Sequence, residues 1–459
     1  LAEVIRTDLC VIGAGSGGLS VAAAAAMLQV PVVLVEKGEM GGDCLNVGCV
    51  PSKALIAAGK VAAEMRRAVD FGLAAPEVKT NFARVNAHVR RVIETIAPLD
   101  SEHRFRALGC NVIKGPAAFV DHRTVDVNGQ RIMARRFVIA TGSRPAAPPI
   151  PGLDKIPYLT NETLFDLVKL PRRLVVIGAG PIGMEMAQAL ARLGAEVTVV
   201  EAGQVLSRED AEAARLVRKA LEADGVAFRE GVKVDSISGE GEKLRVMISG
   251  EGGARVLDCT HVLVATGRRP TTAGLGLEKA GILATPHGIT VDRNLRTSNR
   301  KVYAIGDCAG PPQFTHRANY HAGLVIRNAL FRLPVSASDT LIPRVTFTDP
   351  EIAAVGMSED EALKTAGARI LRWPFAENDR AQAERRTDGF VKLMVGRKGD
   401  ILGVAICGHN AGELLTPWTL AMAKGLKAAD MAGITFPYPT YSEVSKRAAT
   451  AFLLPQLRR

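Results

Sequence analysis

The 459-residue chain is too long for one hydrophobic core, and its length suggests about three domains. With 47% hydrophobic and 23% charged residues it has the make-up of an ordinary soluble globular protein, and no apolar run of transmembrane length is free of charge. The net charge of +11 is spread through sequence of mixed sign, and the Arg90/Arg91, Arg135/Arg136 and Arg385/Arg386 pairs lack interleaved aromatics, which argues against nucleic acid and for attraction of anionic cofactors.

The first residues predict a strand, Thr7 to Ile12, that runs straight into a glycine-rich turn. That order is unlike a signal peptide, and the missing initiator Met points to a trimmed start. The turn is Gly13-Ala-Gly15-Ser-Gly-Gly18, followed by an Ala-rich helix and the apolar strand Val32 to Val35, ending at Glu36. The pattern returns at Gly178-Ala-Gly180-Pro-Ile-Gly183, with a helix to Leu193 and a strand ending at Glu201. In both copies the acid lies 23 residues after the first glycine. One G-x-G-x-x-G is weak evidence, but two copies with strand, helix and acid in register identify two dinucleotide-binding βαβ units. The glycines let the backbone approach a pyrophosphate, the helix N-terminus supplies N–H groups, and the carboxylate accepts from a ribose hydroxyl.

Just after the first unit comes Gly41-Gly42-Asp43-Cys44-Leu-Asn-Val-Gly48-Cys49-Val-Pro-Ser-Lys53. A thiol pair beside a bound dinucleotide can move two electrons. On a regular helix residues five apart rise roughly 7.5 Å, while disulfide Cα atoms rarely lie beyond about 7 Å. The pair can therefore close only if the chain turns between them, which Gly48 permits. Lys53 would share a helical face with Cys49 and favour its thiolate. The other cysteines, Cys10, Cys110, Cys259, Cys308 and Cys407, lie in or beside apolar strands and read as packing thiols. Seven cysteines without a secretion signal argue against an extracellular disulfide framework and for a cytoplasmic protein.

A second duplication links the units: Phe137-Val-Ile-Ala-Thr141-Gly142-Ser-Arg-Pro and Val262-Leu-Val-Ala-Thr-Gly267-Arg268-Arg-Pro are each a buried strand stopped by Gly and Pro. Pro145 to Pro151 reads as a stiff linker, and Val302-Tyr-Ala-Ile-Gly306-Asp307 as a further strand. Beyond Leu341 strands (Val345 to Thr348, Val391 to Val395, Ile401 to Cys407) give way to helices, as an α+β domain would.

Together these residues resemble the class I pyridine nucleotide-disulfide oxidoreductases, which include dihydrolipoamide dehydrogenase, glutathione reductase and mercuric reductase. The resemblance spans essentially the whole chain and is most specific from Cys44 to Lys53. It implies an α/β fold: two Rossmann-like domains binding FAD and NAD(P), plus an α+β C-terminal dimerisation domain. The expected division is 1–147 (FAD domain with the redox disulfide), 148–269 (NAD(P)H domain), 270–341 (a central segment completing the FAD domain) and 342–459 (the interface domain). The resemblance places Gly13, Gly15, Gly18, Glu36, Gly42, Thr141, Gly142, Gly306 and Asp307 with FAD, Asp307 on its ribityl chain. It places Gly178, Gly180, Gly183, Glu201, Gly267 and Arg268 with NAD(P)H. Cys49 is implied as the thiol against the flavin, Cys44 as the exchange thiol, and Lys53, paired with Glu185, as a neighbour of the flavin edge. Electrons would pass from nicotinamide to flavin to the Cys44–Cys49 disulfide and on to an acceptor. Glu201 favours NADH over NADPH, because it would accept from a free 2′-OH and repel a 2′-phosphate; Arg208, seven residues on, reads as a surface residue.

The chain departs from that family near its end. Disulfide-reducing members carry His-Pro-x-x-x-Glu, contributed across the dimer interface, where His is the acid and base for the exchange thiol. Here the segment is Tyr438-Pro439-Thr-Tyr-Ser-Glu443. A free Tyr has a pKa near about 10 against about 6.5 for His, so Tyr438 is a donor and a poor base. Such help is worth about 10²–10⁴ in rate, so lipoamide or glutathione turnover should be weak. His316 and His321 read as helix-terminal or surface residues. A Tyr suits the mercuric reductase branch, since a soft metal ion needs thiolates and no leaving-group acid. That branch also carries a C-terminal Cys pair and an N-terminal C-x-x-C domain, neither found in this sequence. Asp43 stands where the family usually has Thr; a carboxylate there would raise the Cys44 pKa unless solvent screens it. The expected protein is a homodimeric FAD enzyme, with no resident metal and no nucleic-acid or membrane partner. Its acceptor stays open among a small disulfide, a quinone and a soft metal ion. A mercuric-reductase-like metal reductase, a dihydrolipoamide-dehydrogenase-like component of a multienzyme complex and a redox sensor are the alternatives.

Overall fold

Strands that are apolar on both faces need cover on both sides, and the first sheet is built accordingly. The computed structural model describes residues 4–74 and 77–454. The strands run in the order Asn111–Lys114, Val32–Glu36, Val4–Ile12, Gln130–Ile139, Thr124–Val127, Ala117–Asp121, and Val302–Ala304 also pairs with Gln130–Ile139. The four strands of the nucleotide unit and Val302–Ala304 pair in parallel, with Leu9 opposite Val32 and Phe137 opposite Val302. Leu9 and Val11 pack under the helix Ser16–Met27, while Cys10 and Ile12 enter the opposite cluster with Phe119 and Phe137. That two-sided burial explains the unbroken apolar run.

The second sheet repeats the plan with four parallel strands in the order Ala227–Glu230, Glu196–Glu201, Arg173–Ile177, His261–Val264. A three-stranded antiparallel sheet formed by Lys233–Glu240, Lys243–Gly250 and Gly253–Cys259 adjoins it. The two duplicated Ala-Thr-Gly segments meet: Ser143–Pro145 pairs antiparallel with Arg268–Pro270, tying the nucleotide units together. The last region is a five-stranded antiparallel sheet in the order Arg344–Thr346, Glu351–Gly356, Ile401–Gly408, Phe390–Val395, Arg369–Pro374. Helices Ala411–Ala423 and Glu443–Thr450 cover it around the buried Trp418. The sequence reading found three of those strands and missed Glu351–Gly356 and Arg369–Pro374. Among the described residues no helix is long and apolar enough to cross a membrane.

The glycines of the two turns have different tasks. Gly13 and Gly178 each take φ +104°, and a Cβ there would lie 2.4 Å from the Ala140 carbonyl oxygen and 2.7 Å from that of Ala265. The duplicated Ala-Thr-Gly segments are thus the packing partners of the duplicated turns. A Cβ on Gly183 would fall 2.1 Å from the Gly178 carbonyl oxygen, whereas one on Gly180 meets nothing within 4 Å. Gly183→Ala is therefore expected to lose about 1–3 kcal/mol of stability by overpacking. Gly180→Ala should stay within ~1 kcal/mol of wild type and lose dinucleotide affinity instead. Urea unfolding set beside a nucleotide titration separates the two.

Candidate active site

A continuous cleft of about 2200 Å³ runs from Glu36 past Cys44 and Cys49 to Glu201, well above the roughly 300–1,000 Å³ of an ordinary small-molecule site. Its ends are built alike. Gly15 and Gly180 precede the helices Ser16–Met27 and Pro181–Arg192. Glu36 accepts the Ala14 N–H at 2.6 Å on one oxygen and the Gly38 N–H at 2.7 Å on the other. Glu201 accepts the N–H groups of Ala179 and Gly203, both at 2.8 Å. Each carboxylate is fixed in orientation yet keeps lone pairs for ribose hydroxyls. A Cβ on Gly15 would meet only the Gly42 Cα at 3.9 Å, and the free space above Gly15 and Gly180 fits a pyrophosphate at each helix N-terminus. Gly18 and Gly183 allow each helix to pack on its own turn, while Gly42 lies against Gly15. Thr141 donates to the Thr271 carbonyl at 2.6 Å, and Gly142 and Gly267 present open backbone to the cleft. The residues thus fit FAD at one end and a nicotinamide dinucleotide at the other.

Between the ends, Cys44 sits in the short helix Gly42–Asn46 and Cys49 begins the helix Cys49–Arg67. The helix breaks at Val47 and Gly48, as the pair's closure requires. Gly48 serves by its size rather than by a left-handed backbone: its φ is −129°, and a Cβ would lie 2.7 Å from the Asp43 carbonyl oxygen. Both thiols are free, and each strongly shifts the acidity of the other. The Cys44 thiol, with help from Thr315 and Lys53, lowers the Cys49 pKa to about 6 against the opposing effect of burial. Cys49, and burial, push the Cys44 thiol up. The reduced pair is thus one thiol and one thiolate. Thr315 Oγ1 lies 3.4 Å from Cys49 Sγ. Lys53 Nζ donates to Glu185 at 2.9 Å and lies 4.2 Å from the centre of the Phe347 ring. Glu185 is no solvated helix glutamate: it is 5% exposed and also accepts the Phe347 N–H at 3.0 Å.

Asp43 and Arg268 are placed together, away from the roles first read for them. Their side chains form an ion pair. The Arg268 guanidinium thus offsets the Asp43 charge beside Cys44. The Arg268 guanidinium, which lines the cleft, donates from Nε to Ser143 Oγ at 2.7 Å and from Nη1 to Asn161 Oδ1 at 3.3 Å. The Ser143 hydroxyl donates in turn to Asp307 Oδ2 at 2.6 Å. Burial raises the Asp307 pKa, opposed by that bond.

The C-terminal residues lie elsewhere. Tyr438 is 69% exposed, and its hydroxyl donates to Asp379 Oδ2 at 2.9 Å, which raises its pKa. Glu443 opens the last helix, and neither residue lines the cleft of its own chain. His316 is exposed and bonds the Pro343 carbonyl at 2.7 Å. His321 corrects the surface reading: it is 1% exposed, accepts the Gly306 N–H at 3.3 Å, and burial lowers its pKa to about 4. A neutral, enclosed ring of that kind is packing, not a base for Cys44. The five remaining cysteines are all buried. The last residues, where a C-terminal Cys pair was sought, fall partly outside the described residues. Thr315, Asn161 and Asp379 stand in no motif, and Ser143 stands in the duplicated Ala-Thr-Gly segment without a role that local pattern assigns; only tertiary contact gives them meaning.

Comparison with known proteins agrees with this geometry. Residues 7–322 match the model of the pyridine nucleotide-disulphide oxidoreductases, and residues 342–449 match the dimerisation domain of the same family. The chain is 36% identical over 453 residues to a mercuric reductase of Bacillus cereus, covering 97% of this chain and 71% of that protein. It is 38% identical over 459 residues to a dihydrolipoyl dehydrogenase of Geobacillus stearothermophilus, covering 98% and 97%. The copper(II) complex of RclA from Escherichia coli, an HOCl-induced flavoprotein disulfide reductase, superposes with a TM-score of 0.88 at 27% identity, covering 97% of this chain and 99% of that one. The chain therefore belongs to the pyridine nucleotide-disulphide oxidoreductases, and it is an FAD enzyme that carries electrons from NAD(P)H through flavin to a redox-active disulfide.

Proposed function

We propose that this protein is a cytoplasmic homodimeric NADH oxidoreductase whose reduced Cys44–Cys49 pair delivers electrons to a thiophilic metal ion. The observation that carries this reading is Tyr438. Its hydroxyl already donates to Asp379 and its pKa is raised, so it cannot take a proton from a thiol at neutral pH. A lipoamide-type exchange needs that base; capture of a metal ion by thiolate does not. The metal reductases and the copper-bound flavoprotein among the relatives support the same direction.

Bound FAD supplies the two-electron link between nicotinamide and sulfur. The chain's own residues do the rest. Glu36 and Glu201 hold ribose hydroxyls, and Asp307, kept in place by Ser143, holds the ribityl chain. Lys53, anchored on Glu185, keeps positive charge beside Cys49. Cys44 and Cys49 take the metal ion between them, releasing the Cys44 proton. Each NADH gives two electrons and leaves one proton, so it reduces one ion by two electrons or two ions by one each. Tyr438 and Glu443 act across the subunit interface, a reading supported by Tyr438 being exposed and outside its own cleft. We take residues 1–147 with 270–341 as the FAD domain, 148–269 as the NADH domain and 342–459 as the interface domain; the strand Val302–Ala304 lying in the first sheet supports the split.

Anaerobic NADH titration of the holoenzyme should raise a long-wavelength thiolate–flavin band. Cys49 ionises above its pKa of about 6, so the band should be nearly full at pH 7.5 and fall to about a tenth at pH 5. Cys49→Ser should abolish it, and full turnover without that thiol would end the disulfide mechanism. Tyr438→His should raise dihydrolipoamide turnover by about 10²-fold and leave metal-dependent NADH oxidation within a few-fold. No rise in the first would mean that this position does not serve the exchange thiol. Glu201 predicts a lower KM for NADH than for NADPH, and a tenfold preference for NADPH would overturn that, assigning Arg208 to the 2′-phosphate.

A further inference from the structure

The segment between the two cysteines, from Leu45 to Gly48, sets how the two thiols meet. What restrains it is a set of contacts outside the cysteine motif. Arg268 forms an ion pair with Asp43, the residue before Cys44. Its Nη1 donates to Asn161 Oδ1 at 3.3 Å, and Asn161 Nδ2 donates in turn to the Val47 carbonyl at 3.1 Å, two residues before Cys49. One guanidinium thus restrains both ends of the segment. It is itself fixed by Ser143, whose hydroxyl receives from Nε at 2.7 Å and whose carbonyl receives from Nη2 at 2.9 Å. Ser143 and Arg268 belong to the two-stranded ribbon that joins the nucleotide units. The Ser143 hydroxyl also holds Asp307.

We propose that Arg268 is a positioning residue that clamps the redox segment through Asp43 and Asn161, holding Cys44 against Cys49 in the reduced enzyme and tying that register to the Asp307 end of the cofactor site. An exposed ion pair alone would contribute little. Here the Arg268 side chain is 16% exposed, and its planar fork is committed to partners on three separate chain segments, which is where Arg differs from Lys. The clamp also gives Asp43 a purpose that a Thr at the same place could not serve, since only a carboxylate balances the guanidinium. The inference rests on the redox disulfide that family membership establishes and not on the metal acceptor, so its test uses no acceptor.

The experiment compares wild type, Asp43→Asn, Arg268→Gln and the double variant as FAD-loaded enzymes reduced anaerobically with NADH. Iodoacetamide alkylation of Cys44, located by peptide mass, reports how firmly that thiol is held. The pH midpoint of the long-wavelength band reports how strongly Cys44 stabilises the Cys49 thiolate. Each single variant should alkylate about tenfold faster, with the double variant no faster than either, the sign of two residues acting as one unit. The band midpoint should move to higher pH, while bound FAD stays stoichiometric. Rates that do not change, rates that multiply in the double variant, or flavin loss that accounts for the acceleration would each overturn the clamp. Should Arg268→Gln not fold, Asn161→Ala removes the link from Arg268 Nη1 to the Val47 carbonyl and leaves the Asp43 ion pair; it is expected to accelerate alkylation as well, and an unchanged rate there also overturns the clamp.

Discussion

The mutual influence of Cys44 and Cys49 depends on a close approach at Gly48. Without the break there, a continuous helix would carry the two thiols apart, and with any side chain at Gly48 the loop would collide with the Asp43 carbonyl. Once the thiols touch, their acidities separate: the donor's proton is held and the acceptor's anion is stabilised. Thr315 and the Lys53–Glu185 pair add to this from other segments. The pair is electrically asymmetric because of its geometry, and the division of labour between a flavin-side thiolate and an exchange thiol follows from that asymmetry.

The same economy governs the nucleotide ends. Both turns need a first glycine at positive φ because an Ala-Thr-Gly segment packs directly on it, and both acids are oriented by the same two backbone N–H groups. Repetition of contacts, not only of letters, shows that the two units are one structural solution used twice. The tails of the packing segments then pair with each other, so the ribbon between the units is a direct product of the duplication. It places Arg268 within reach of the redox segment.

Much of this was legible in the sequence because it lives in short-range pattern. Glycine spacing, the terminal acids and the Cys-to-Lys segment are set by backbone geometry over a few residues. Lys53 and Glu185 are 132 positions apart, and only family resemblance joined them before the fold did. The Asp43–Arg268 pair shows the limit. Read locally, Asp43 is an anion next to a thiol, and Arg268 is a cation next to a nucleotide turn; each reading is sound and incomplete, because the partner that cancels the charge arrives from a distant strand. His321 failed for a related reason. A histidine on a mixed helix face reads as exposed until a second layer of structure closes over it, and Glu351–Gly356 and Arg369–Pro374 take their place as strands through pairing in the five-stranded sheet.

Tyr438 ties chemistry to acceptor choice. A base at that place would accept the proton of the exchange thiol and later return it to a leaving thiol. A neutral phenol, its hydroxyl given to Asp379, cannot accept that proton at neutral pH. Cys44 keeps its proton until something displaces it, and a soft cation binding both sulfurs does so with its own charge, replacing the missing base by coordination. Disulfides offer no such charge. Under the function proposed above, the substitution that disfavours dithiol exchange is neutral for metal capture, because that acceptor brings its own means of deprotonation.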